Sequence, residues 1–136
     1  GKTTVFSASE AAEGMQYLAM AGYDANEIVA AMPGVLNAAA AGQVELGTAA
    51  DITSNVLSGF GLQASETSRV ADVLTKAFTS SNTSMESLGE TMKYAAPIAR
   101  AAGFSLEETA AAAGVLGDAG IQGLNKNGPV TWRQVA

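Results

Sequence analysis

The side chains in this sequence that could do chemistry are few and poorly spaced for it. Glu107 and Glu108 are the one adjacent acid pair. On a helix, neighbours point about 100° apart, too divergent to share a proton, and Glu108 stands three residues after Ser105, where it reads as a capping acid. Ser105 sits in no strand–turn–helix elbow, and a serine nucleophile needs a base that the chain, with no His, does not offer. Lys76 beside Asp72 and Lys93 beside Glu90 read as solvated helix-surface pairs. Gly59-Phe60-Gly61-Leu62-Gln63-Ala64 fits a loose dinucleotide pattern. That pattern works only after a strand; here a helix-periodic stretch precedes it and residues 78–84 carry no acid, so a helix stop and turn is expected. The absence of Cys removes thiolate metal sites and disulfides. The expectation is no catalytic residue, no cofactor-binding residue and no metal ligand: not an enzyme.

The elements that carry these residues follow from composition. The chain has 136 residues, 48% of them hydrophobic, which suits one domain with a real core. Ala fills 28 positions and Pro only three, a mixture that favours helix. Net charge is −6, and the seven basic residues (Lys2, Arg69, Lys76, Lys93, Arg100, Lys126, Arg133) are scattered singly, which argues against binding nucleic acid. No apolar run reaches the length of a membrane span, and the start lacks the apolar core of a signal peptide. The reading is a soluble, acidic helical domain.

Helix punctuation is clear. Ser7 and Glu10 open a first helix, with Ala11, Met15, Leu18 and Ala19 as its stripe, which stops at Gly22. Asp24 and Glu27 form a capping box, and Tyr23 with Ile28 a hydrophobic staple. Pro33 is expected to end that helix early, leaving a separate short helix over 35–41 that stops at Gly42. A third stretch, 45–60, buries Leu46, Ala49, Thr53, Val56, Leu57 and Phe60. Ser65 opens a helix whose stripe is Val70, Val73, Leu74, Ala77 and Phe78. Thr83 with Glu86 caps the next, which carries Met85, Leu88 and Met92 and which Pro97 should kink or split. Gly103 ends it, and Ser105 with Glu108 opens the last. No alternating stretch reads as a strand. The fold class is all-α: a compact bundle of about six to seven short helices broken by Gly and Pro, with no sheet.

Ala21-Gly22-Tyr23-Asp24 with Glu27 echoes Ala102-Gly103-Phe104-Ser105 with Glu108. Both are helix stop, aromatic, cap and capping acid, and read as one solution to a helix–helix corner. Gly114, Gly117, Gly120 and Gly123 recur every third residue and suggest a fraying, hinge-like helix end, with very close backbone packing as the alternative. The five Met residues (15, 20, 32, 85 and 92) read mostly as core.

Several stretches in order resemble the core domain of phage tail tape measure proteins of the TP901 type. They are residues 17–28 and 32–37, then Ala49-Ala50-Asp51-Ile52, Gly59-Phe60-Gly61-Leu62, residues 70–74, 79–84 and 88–94, and Ala119-Gly120-Ile121-Gln122-Gly123. The likeness spans residues 8–123 and sets the domain reading: 1–7 a flexible start, 8–123 the tape-measure-type helical domain, 124–136 a divergent or flexible tail that departs from the family pattern. It implies a structural, non-catalytic part of a phage or prophage tail that sets tail length and takes part in assembly. It implies as partners the tail tube protein, tail assembly chaperones and tail tip proteins. It implies location in the virion tail, and in the bacterial host cytoplasm during assembly. It leaves room for self-association and, in the full-length protein alone, for membrane contact. The competing reading is a generic helical interaction module of a bacterial adaptor. A continuous helix of this length would span roughly 200 Å, but the Gly and Pro breaks leave short striped pieces that should fold back on one another into a folding or docking module.

Overall fold

Four of the six helices begin where a side chain (Ser7, Asp24, Ser84 or Ser105) accepts an orphan amide of the first turn, and most end where the chain can turn left-handed. The computed structural model describes residues 6–118; residues 1–5, most of the expected flexible start, and 119–136, with Gly120, Gly123 and the divergent tail, lie outside them. Within these bounds there are six α-helices: α1 (Ala8–Met20), α2 (Ala25–Gly42), α3 (Leu46–Gly59), α4 (Thr67–Thr79), α5 (Met85–Ala101) and α6 (Leu106–Asp118). A single 3₁₀ turn (Ala64–Glu66) leads into α4. No strand occurs among the described residues.

Odd and even helices form two rows. In one, α1 packs on α3 and α3 on α5; in the other, α2 packs on α4 and α4 on α6. Three helical hairpins, α1/α2, α3/α4 and α5/α6, are thus stacked side by side, with α2 also packed on α3. Their shared core holds Leu18, Val35, Leu46, Val56, Leu74 and Met92, each at 0–1% exposure. Ala-rich helices bury little area apiece, and close approach compensates. A Cβ on Gly14 of α1 would come within 2.8 Å of Leu46 Cγ on α3, and one on Gly47 of α3 within 2.8 Å of Tyr17 Cε2 on α1. No real Cβ sits so close, so the two glycines let these helices approach from both sides.

The three hairpin corners are built alike. Gly22, Gly61 and Gly103 adopt φ of +99°, +67° and +87°, which an L side chain resists. The following amides, of Tyr23, Leu62 and Phe104, reach back to the carbonyls of Leu18, Leu57 and Ala99 at 3.1, 3.0 and 2.9 Å, closing Schellman motifs. Each corner then starts a capping box: Ser105 Oγ accepts from the Glu108 amide while Glu108 Oε1 accepts from the Ser105 amide, and Asp24 with Glu27 does the same. At the middle corner Glu66 Oε2 accepts from the Gln63 amide. The two-copy echo in the sequence is therefore a three-copy pattern, glycine–apolar–cap–x–x–Glu at 22, 61 and 103. It was legible, but Leu62 in place of an aromatic hid the middle copy.

Several expectations are corrected. Pro33 does not end its helix, so 25–42 is one α2 rather than two short pieces. The proline and Val29, whose carbonyl loses its donor, are both exposed, so water can serve that oxygen. Pro97 likewise lies on the exposed side of α5, with Lys93 four residues before it, and does not split the helix. α2 ends at Gly42, but the left-handed residue that stops it is Gln43 (φ +53°), and Gly42 itself stays helical. Ser65 lies in the 3₁₀ turn, so α4 proper opens at Thr67. The cap of α5 is Ser84, accepting from the Ser87 amide at 3.1 Å, in place of Thr83. Of the methionines, 85 and 92 are buried and 32 packs partly against the core, but Met15 and Met20 are exposed. Gly114 and Gly117 are buried in α6, where a Cβ on Gly117 would come within 2.9 Å of Thr83 Cβ. The Asn82 amide also donates to the Asp118 carboxylate. These contacts tie the end of α6 to the α4–α5 turn, so through Asp118 the glycines serve close packing and not a hinge.

Candidate functional site

The acids and bases that drew attention in the sequence are occupied in holding helices together. Arg69 on α4 makes a fork-like pair with Glu107 on α6, its Nε and Nη2 donating to the two carboxylate oxygens at 2.8 and 3.0 Å, and its Nη1 reaches Glu66 at 2.9 Å. The hydrogen bonds from Arg69 hold the Glu107 carboxyl below its usual range. The hydrogen bonds at Ser105, first of all from its backbone amide, do the same for Glu108. Both are charged at neutral pH, the opposite of the raised pKa a general acid needs. Sequence spacing did not find the Arg69 fork, because its partner lies 38 residues away. The pairs expected from spacing, Lys76–Asp72 and Lys93–Glu90, are not made; the ion pairs among the described residues are those of Arg69, and Lys93 Nζ stands 5.8 Å from the centre of the Tyr94 ring.

Two depressions stand out on the surface of the described residues. One, about 210 Å³, lies between α3 and α5 with Asp51, Glu86, Glu90 and Lys93 on its walls; no acidic group among the described residues has a metal-holding arrangement. The other, about 380 Å³, runs between α4 and α6 over Val73, Ala77, Ala110, Ala111, Gly114 and Val115, with Lys76, Glu107 and Asp118 at its edges. Its floor of small apolar side chains suits an apolar surface better than a polar substrate. The Gly59-Phe60-Gly61 segment is the corner that ends α3. Gly61 lies under the Arg100 guanidinium, so a cation already sits near the negative end of that helix. Phosphate cradles are built at the other end of a helix. No helix among the described residues is long and apolar enough to cross a membrane.

What this arrangement offers is packing surface, and comparison with known proteins agrees with that. The model of a family described as phage-related minor tail protein matches residues 1–125. The chain belongs to that family. It is 46% identical over 123 residues to a tape measure protein of Pneumococcus phage Dp-1, an alignment covering 90% of this chain and 11% of the relative. It is 36% identical over 123 residues to a probable tape measure protein of Escherichia phage P2, covering 90% of this chain and 15% of that one. The chain thus spans only a small part of the curated relatives it matches. No solved structure is significantly similar. The family, the relatives' names and the all-helical fold together make this a phage tail protein segment with a structural role.

Proposed function

We propose that this segment is a folded, non-catalytic module of a tape measure protein, the component that sets tail length. The observation that carries the reading is the 46% identity to a tape measure protein across 90% of the chain, beside a family match over residues 1–125 that contains all six helices. The shape refines it. Helices of 13 to 18 residues folded side by side extend about 20 to 27 Å, against roughly 200 Å for the same chain drawn out as one helix. The stack therefore adds little to a ruler and serves as its folding or docking element. Its partners are the tail tube protein, the assembly chaperones and the tail tip proteins, met in the host cytoplasm during assembly and then in the virion tail. Membrane contact, if made, belongs to the full-length protein.

The test uses the parent gene. Deleting a known number of helical residues outside this segment should shorten tails, measured by electron microscopy, by about 1.5 Å per residue removed. Deleting residues 8–123 should abolish tail assembly. Tails of unchanged length in both cases would overturn the reading in favour of a helical adaptor module.

A further inference from the structure

The ends of the hairpin stack are unlike. All seven large apolar side chains exposed among the described residues belong to the first and third hairpins, and none to the second. The first hairpin also presents Glu10, Glu13, Gln16 and Asp24 to solvent, the polar outer face of a unit that closes a stack. The third does not. Its inner face buries Leu106, Ala110, Ala113 and Gly117. Between its exposed ends Glu108 and Asp118 the exposed positions are Ala111, Ala112, Val115 and Leu116, the last two at 66% and 40% exposure, with Ala111 and Val115 bordering the groove toward α4. A helix apolar on both faces belongs between two layers.

The corners give a second, independent sign. Tyr23, the apolar residue of the first corner, is covered by the second hairpin: it is 8% exposed and its Oη lies 2.6 Å from Thr67 Oγ1 at the start of α4. Leu62, its counterpart in the second corner, packs partly buried against the core. Phe104, the counterpart in the third, is 56% exposed, with Ile98 nearby in sequence at 73%. Among the described residues no element occupies the place of a next neighbour.

We infer that the outer face of the third hairpin seats a further helical hairpin of the same polypeptide, stacked in the same register, with the start of its second helix closing over Phe104 and its body over Val115 and Leu116. The relatives have chain to supply it, since this segment covers 11% and 15% of them. The inference rests on family membership and on the stack, not on the length-setting role, so measured tail lengths do not bear on it.

Hydroxyl-radical footprinting read by mass spectrometry tests it, on the full-length parent protein and on the 136-residue chain in dilute solution. Phe104 and Leu116 should be modified about fivefold less in the parent, the fall from half exposed to about a tenth exposed. Met20 should be modified equally in both. The double variant Val115→Glu, Leu116→Glu, whose sites are exposed in the 136-residue chain, should leave that chain folded and restore Phe104 modification in the parent. Equal modification of Phe104 in parent and segment overturns the inference. So does protection that survives the double variant. Protection of the 136-residue chain that grows with its concentration, alongside a dimer in sedimentation, also overturns it by naming a second copy as the occupant.

Discussion

The first and third corners share their local geometry and differ in everything beyond it. Gly22 and Gly103 take the same left-handed turn, Tyr23 and Phe104 make the same backbone return bond, and Asp24–Glu27 and Ser105–Glu108 close the same box. Yet Tyr23 is buried while Phe104 is more than half exposed. Thr67 donates its hydroxyl hydrogen to the Ala64 carbonyl at 2.6 Å, which leaves the Tyr23 hydroxyl to donate to Thr67. Burial pushes the Tyr23 hydroxyl pKa up. The comparison separates what four consecutive residues can arrange from what a neighbour forty residues away decides.

It can be broken most readily by truncating the two rings. Tyr23→Ala should lower the stability of the 136-residue chain by about 3 to 4 kcal/mol in denaturant titration, and Phe104→Ala by less than about 1 kcal/mol. Equal losses would mean that the two corners are equally embedded. Next, Gly22→Ala and Gly103→Ala should cost about 1 to 2 kcal/mol each and match one another. A Cβ at either site meets nothing within 4 Å, so only backbone strain acts. Unequal effects would show that the backbone turns are not equivalent.

Tyr23→Phe should cost about 1 kcal/mol and sharpen the contrast through pH. Because the folded-state pKa is raised, the contribution is fully present below tyrosine's ordinary value of about 10 and is lost as pH rises through the folded value. The alkaline loss should therefore shrink in the Tyr23→Phe variant and be unaffected by Phe104→Leu. The smallest effect belongs to the third hairpin's surface pair. Glu107→Gln should cost less than about 0.5 kcal/mol, since the pair with Arg69 is exposed to solvent. The folded pKa is depressed, so that contribution is present above the ordinary carboxylate value and lost as pH falls through the folded one. A melting-temperature series from neutral to acid pH, wild type against variant, reads it.

Much of this was legible one residue at a time. Ser7, Asp24 and Ser105 announce helix starts because their side chains satisfy amides within three residues, and Gly22 and Gly103 announce stops because a left-handed turn excludes most other residues. From the backbone alone Pro33 and Pro97 read as breaks, but the consequence of a lost hydrogen bond depends on whether its carbonyl meets water or core. Spacing leaves Gly114 and Gly117 open between a fraying end and close packing, and the approach of Ser81 and Thr83 decides for packing. The Arg69–Glu107 fork had no local signal at all.

The sequence by itself determined an all-helical chain, the caps at Ser7, Asp24 and Ser105, the stops at Gly22 and Gly103, most of the apolar stripes, and membership in a family of tail proteins, because each of those signals is complete within a few residues or in an ordered string of them. Only the tertiary structure decided that the hairpins stack in two rows, which glycines are approach points, and which of two like aromatics is covered. Those outcomes depend on surfaces brought together from distant parts of the chain, and a side chain's burial is a property of its neighbours as much as of its type.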